Sequence, residues 1–235
     1  MTFRRRAAGG CANRYHLGML FSDPVAGPAE TLVAELRDVP EWHRGRGRYG
    51  VWVVPVQDAA LLDYLDAARE QLADLIHPSP RRQPHLTVFV CGFHGEDRED
   101  DDFPPQRLAR QIALLDDCAG AACSLPLARP DSFASAAFVP VGDPQGRLTE
   151  WRRALGEASR EIRQSPYVPH ITLGLYRRRV GAEVVRQRLS TLAAPPPMLA
   201  VRELHYVTYD TRDQLGPLET VHTVTLGPAT ITASA

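Results

Sequence analysis

The chain has 235 residues, 44% of them hydrophobic and 23% charged, which suits one large domain or two small lobes sharing a core. Lys and Arg number 27 against 28 Asp and Glu, so the charge is close to balanced. That balance argues against a large non-specific nucleic-acid surface, while leaving room for a small anion in one local pocket.

No apolar run approaches the roughly 20 residues needed to cross a bilayer, so no membrane partner is expected and a cytoplasmic location is. The basic opening MTFRRRAAGGCANRYHLGMLF lacks an uninterrupted apolar stretch followed by a cleavage site. Residues 1–48 therefore read as a poorly ordered or decorating extension. Cys11, Cys91, Cys118 and Cys123 show no CxxC spacing, which predicts reduced thiols. No paired Cys/His spacing or HExxH appears, so no metal is expected.

Arg44, Arg46 and Arg48 alternate just ahead of the first strand, near enough in principle to reach a phosphate. A run of charges is more often a solvated loop, and that is the expectation here. Val51–Val56 has strand composition. Asp58 is a candidate N-cap for a helix through about Ile76, ended by the turn HPSPRRQP. HLTVFVCGF then reads as a buried strand. The acidic stretch Glu96–Pro105 reads as a solvated connection, followed by a helix near Gln106–Cys118.

From here the pattern repeats. Phe138-Val139-Pro140-Val141-Gly142-Asp143 has the form of Val54-Pro55-Val56-Gln57-Asp58, and a helix is expected over about Leu148–Ile162. A Pro-bounded turn, QSPYVP, leads into the strand HITLGLY. Asp58 to His85 is 27 positions, and Asp143 to His170 is again 27. Two strand–helix–strand units in one register indicate a tandem duplication, at a period too long for a solenoid. A helix near Ala182–Leu192 and strands near Ala200–Tyr209 and Glu219–Leu226 complete the chain. The expected fold class is α+β: a bilobal, pseudo-twofold duplication, with two antiparallel sheets flanking a central cleft and helices outside. Residues 49–227 would form this single domain of two interleaved lobes, and 228–235 a tail.

Each unit contains a near-identical word, PHLTV at 84–88 and PHITL at 169–173. Alternation along a strand places His85 with Thr87 on one face, and His170 with Thr172 likewise. Across a pseudo-twofold axis the two pairs would surround one ligand. Two imidazoles can divide proton withdrawal and delivery near neutral pH, and two hydroxyls can hold non-bridging phosphate oxygens. One such word is commonly structural; two at matching register point to a shared site. His16, His43, His77, His94, His205 and His222 have no repeat partner and carry no expected chemistry.

The paired words resemble the HxTx motifs of the two-histidine (2H) phosphoesterases, the superfamily of LigT-like RNA ligases and cyclic phosphodiesterases. YGVWVVP, QPHLTVFV, SPYVPHITLGLY and LHYVTYDTRDQLGPLETVHTV carry the likeness, over roughly Tyr49 to Gly227, with the plant and yeast cyclic nucleotide phosphodiesterases closest in appearance. The resemblance implies metal-independent, cofactor-free opening of a nucleoside 2′,3′-cyclic phosphate, an ADP-ribose 1″,2″-cyclic phosphate or a short 2′-linked RNA end. It makes His85 and His170 the acid/base pair and Thr87 and Thr172 the phosphate-oxygen donors. It also suggests Trp52 as a base-stacking residue and Tyr176, displaced by one position, as a ligand contact. By alternation Tyr176 would share the His170 face. The implied partner is a small nucleotide or RNA end, bound by a monomer. Two other readings stay open: 2′,5′ joining of RNA ends by the same site, and a nucleotide-binding module without turnover.

Overall fold

The computed structural model describes residues 20–23, 25–162, 166–192 and 197–228. In chain order the elements are α1 (Pro40–His43), β1 (Arg48–Pro55), α2 (Ala59–Gln71), β2 (His85–His94) and β3 (Asp102–Phe103). There follow α3 (Pro105–Cys118), β4 (Cys123–Leu125), β5 (Asp131–Ser132), β6 (Ala136–Pro140) and α4 (Arg147–Ala158). The last are β7 (His170–Leu175), α5 (Ala182–Ser190), β8 (Leu199–Val201), β9 (Glu203–Asp210) and β10 (Glu219–Thr225).

The architecture is α+β. The main sheet runs β10-β9-β1-β2-β7-β6-β5, with β3 added in parallel to β2, and β4 pairs β8 separately. The two halves of this sheet meet through a single antiparallel pairing, Leu86 with Ile171. Either side of that seam the register repeats. Pro55, Val54 and Val53 lie opposite His85, Leu86 and Thr87; Pro140, Val139 and Phe138 lie opposite His170, Ile171 and Thr172. The linking helices cross the seam, α2 packing on β7 and α4 on β2. One continuous core on the helix side takes Leu86, Val88, Ile171 and Leu173 from the strands and Leu61, Leu65 and Trp151 from the helices. Burying such side chains stabilises by about 1.5–3 kcal/mol each, so neither half can hold this face alone.

Several elements end earlier than their apolar pattern suggests. Asp58 caps α2 as expected, its carboxylate accepting from the Leu61 N–H at 3.1 Å, but the helix stops at Gln71 rather than Ile76. Ile76 instead bridges to Tyr176, and the His77 N–H donates to the Leu175 carbonyl at 2.8 Å. Likewise α4 stops at Ala158, because Glu161 and Ile162 are drawn to the exposed edge of β2. The Glu161 carboxylate accepts from the Val90 N–H at 3.1 Å and the Ile162 N–H donates to the Val90 carbonyl at 3.1 Å. Edge backbone groups need partners, and that demand outweighs one more helical turn. The expected strand over 200–209 is two, β8 and β9, which join different sheets.

Within the N-terminal segment, residues 20–47 cover the fold rather than decorate it. Phe21 is fully buried and its N–H donates to the Ser132 carbonyl at 3.0 Å. The Leu32 and Ala34 N–H groups donate to Ala134 and Tyr176 at 2.7 and 2.8 Å. Residues 1–19 and 229–235 lie outside the described residues.

Neither the arginine run nor the acidic stretch is a free loop. Arg46 donates to Asp101 at 2.6 Å and Asp102 at 2.7 Å while lying 3.5 Å over the Phe93 ring. Arg44 pairs with Glu99, and Arg48 with Glu219 at 2.7 Å. All three are thereby engaged away from the paired motifs. Among the described residues no helix is long and apolar enough to cross a membrane.

Candidate active site

The site is built by the seam between β2 and β7. Leu86 and Ile171 are paired there, and both side chains point into the core, at 1% and 0% exposure. Their neighbours on each strand must point the other way. His85 therefore stands beside Thr172, and His170 beside Thr87, on the face opposite the helices. The two histidines are diagonal neighbours, a relation that sets backbones roughly 7–8 Å apart. That spacing leaves room for a phosphorus and its oxygens between two imidazoles.

Both rings are held alike. The Nδ1–H of His85 donates to the Gln83 carbonyl at 2.8 Å, and that of His170 to the Val168 carbonyl at 2.7 Å. In the neutral form each ring then carries its lone pair on Nε2, assigned from the acceptor at Nδ1. Just behind the rings, the Val56 and Val141 N–H groups donate to the carbonyls of Pro84 and Pro169 at 3.1 and 3.0 Å. Neither motif threonine hydroxyl has a hydrogen-bond partner among the described residues, so both can donate to a ligand.

A bulge follows each threonine. Trp52 lies opposite Phe89 while Val53 lies opposite Thr87, leaving Val88 as the extra residue; Ala137 and Phe138 face Gly174 and Thr172, leaving Leu173. In each half an arginine reaches the bulged carbonyl from the helix that crosses the seam. Arg152 of α4 donates to Val88 at 2.5 Å and Arg69 of α2 to Leu173 at 3.1 Å. The bulges splay the halves apart beyond the His/Thr square, and the arginines satisfy the carbonyls so exposed.

The surroundings of the two rings differ. Burial pushes His85 down to about 4; the Gln83 carbonyl opposes this, and the positive fields of Arg82, His170 and Arg69 add to it. His170 instead rests against two phenylalanines. Phe133 and Phe138 are stacked 4.2 Å apart, and each ring lies 5.2 Å from the imidazole. Beside the square, Val53, Val51, Tyr49, Phe93 and Val207 form an apolar floor on the same face, with Tyr209, Leu218 and Trp42 at its margin. The geometry can hold one phosphate between two proton-transfer groups and two hydroxyl donors.

Residues 54–213 match the model of the 2′-5′ RNA ligase superfamily, about two thirds of the chain. The chain belongs to that superfamily. Among solved structures, apo E. coli LigT is similar with a TM-score of 0.51 and 17% identity, over 78% of this chain and 99% of that one. A conserved protein of unknown function from Agrobacterium tumefaciens gives a TM-score of 0.52 at 12% identity, over 75% of this chain and 85% of that one. These likenesses concern the fold. A search among curated proteins finds no match.

Two further expectations for this 2′-5′ RNA ligase superfamily member are corrected by the structure. Trp52 does not face a ligand. It is fully buried on the helix side, its indole N–H donating to Gln111 at 2.7 Å and its ring 5.6 Å from Tyr206. Val53, opposite Thr87, occupies the site face instead, and its neighbour must point away. Tyr176 is also fully buried, its hydroxyl 2.7 Å from the Ser132 hydroxyl, and burial pushes it up to about 12. The bulge at Leu173 reverses the alternation that would have put Tyr176 beside His170.

Other residues of the superfamily member's site had no motif to announce them. Phe138 falls at the duplicate position of Val53, and only the register of β6 brings it under His170. Arg82 sits three positions before His85, where the other copy has Tyr167. Arg82 lies 4.6 Å over the Tyr209 ring, whereas the Tyr167 hydroxyl donates to the Thr87 carbonyl at 2.9 Å. Aligning the two halves would have flagged that difference.

Proposed function

We propose that this chain hydrolyses a ribose cyclic phosphate, with His85 as general base and His170 as general acid. The substrate is a nucleoside 2′,3′-cyclic phosphate, an ADP-ribose 1″,2″-cyclic phosphate or the cyclic end of a short RNA. His85, neutral at pH 7, takes a proton from water through Nε2 as the oxygen attacks phosphorus. One ring P–O bond breaks, and His170 delivers a proton to the departing ribose oxygen. Thr87 and Thr172 donate to the non-bridging oxygens, where charge must be held in the transition state.

One observation carries this reading: the Leu86–Ile171 pairing sets both histidines, held through matched Nδ1 hydrogen bonds, on one face with both threonines. The superfamily supports a second reading. Ring opening by an RNA 5′-hydroxyl in place of water joins two ends through the same groups in the same roles.

The test is phosphorus NMR of the purified protein with a panel of cyclic phosphates, chelator present, beside cleaved RNA ends bearing a cyclic phosphate. Ring opening that vanishes in both H85A and H170A is the expected result. Joined ends without hydrolysis would favour the second reading. Turnover of a cyclic substrate by either alanine variant at the wild-type rate would overturn the mechanism.

A further inference from the structure

A groove leaves the catalytic face on the His85 side. It is lined there by His85, Thr172, Arg69, Arg82 and Leu215, among others. A second hollow, between α2 and the turn 78–84, adds Arg81 and shares Arg69, Ser79, Arg82, Gln83 and Pro84 as walls, so the two form one path outward. Three arginines line that path, but their charges are not equally available. Arg81 is paired with Asp213 at 2.5 Å. Arg69 holds the exposed Asp66 at 3.0 Å with one nitrogen, its Nε is on the Leu173 carbonyl, and its remaining nitrogen makes only a long contact of 3.5 Å to the Thr172 carbonyl.

Arg82 has no ion pair among the described residues. Its guanidinium is stacked on Tyr209 and donates to the backbone carbonyl of Gln214. Burial pushes it below the usual arginine value, with only the fields of Tyr209 and Asp213 opposing. A half-buried guanidinium, lying over a ring and held by one carbonyl, retains donors for an anion. The nearby Asp213 carboxylate is itself paired with Arg81, and the other half of the molecule has a tyrosine at the equivalent place.

We propose that Arg82, backed by Arg69, forms a subsite for a second phosphate, so that the preferred substrate is a cyclic phosphate bearing another phosphate next to its ribose. This rests on reading the His/Thr face as the cyclic-phosphate site. The second phosphate has two possible sources with the same chemistry: a 5′-phosphate on a mononucleotide, or the internucleotide linkage of an RNA end.

Binding of non-reacting product forms separates this from the catalytic reading. Calorimetry would compare adenosine 3′-phosphate with adenosine 3′,5′-bisphosphate and with a diadenosine ending in a 3′-phosphate. The proteins would be the wild type, Arg82→Met, Arg82→Lys and, as an exposed-charge control, Arg98→Gln. Charge-assisted hydrogen bonds predict that the wild type favours a two-phosphate ligand by about 10- to 100-fold. The ligand that gains identifies the source. The preference should fall below about 3-fold in R82M, be intermediate in R82K and persist in R98Q.

Equal wild-type affinity for all three ligands would overturn the subsite, as would an R82M loss shared in proportion by all three. A two-phosphate preference without turnover of any cyclic substrate would sink the catalytic reading alone. Turnover without the preference would sink the subsite alone.

Discussion

Leu86 pairs across the seam with Ile171, which is its own counterpart 85 positions along the chain. An antiparallel pairing between a residue and its duplicate places a local twofold axis between them. Everything one copy presents beside that axis, the other presents on the far side. The His/Thr square, the paired bulges and the paired arginines all follow from this one register.

The two histidines should be separable from stability. Both rings are only partly buried and lie outside the apolar core, so H85A and H170A are expected to fold, with circular dichroism unchanged. Each should lower kcat by about 10²–10⁴-fold on the substrate identified by NMR. Thr87→Val and Thr172→Val should cost about 10²-fold, as loss of one oxyanion donor does. Full activity in either threonine variant would remove the hydroxyls from the mechanism.

The pH dependence follows from His85. A base held down to about 4 stays neutral well below the ordinary histidine value of 6.5. The acid limb of kcat/KM should therefore lie near 4–5 rather than near 6.5. Removing the positive charge in R82M should move that limb upward part of the way, since burial is the larger cause. Stability should respond with a matching sign. Between pH 6.5 and 4 the unfolded chain binds a proton at His85 that the folded chain refuses, so stability falls as pH falls through that window. An acid limb at 6.5 in the wild type would contradict this placement of His85.

Trp52 is expected to behave as a core residue. In W52F the Gln111 side-chain oxygen keeps only the Cys91 thiol, at 3.5 Å, as a donor. The loss should be about 1–3 kcal/mol in urea unfolding, with KM within about 2-fold of wild type. A large rise in KM at unchanged stability would return Trp52 to the site.

Arg152 should matter through the seam. It donates to the Val88 carbonyl, pairs with Glu161 at 2.6 Å and lies 3.7 Å over the Tyr167 ring. R152M leaves a carbonyl and a nearly buried carboxylate short of a partner. A loss of about 1–3 kcal/mol is expected, seen as a fall of roughly 2–9 °C in Tm. An unchanged Tm would mean that the bulged carbonyl needs no support.

The duplication was legible because evolution kept its spacing. The 27-residue interval from aspartate to histidine is a property of the chain alone, and the sharing of one face by His85 and Thr87 follows from strand alternation. That alternation is valid only up to the bulge, so it placed Thr172 well and Tyr176 badly. Trp52 failed for a related reason: within β1 the choice between Trp52 and Val53 depends on register, and a slip of one residue exchanges the faces.

Helix lengths failed differently. Glu161 and Ile162 have helical composition, yet the edge of β2 takes them. That competition involves residues some 70 positions apart and leaves no local trace. The chain by itself determined the doubled word, its partner threonines and the lobes that carry them, since these depend on local period and spacing. Only the folded sheet decided that the copies meet at Leu86 and Ile171, that Arg82 stands on one side alone, and which aromatics lie on the His/Thr face. Register and side-chain direction across a seam are long-range properties, fixed when both halves bury one core.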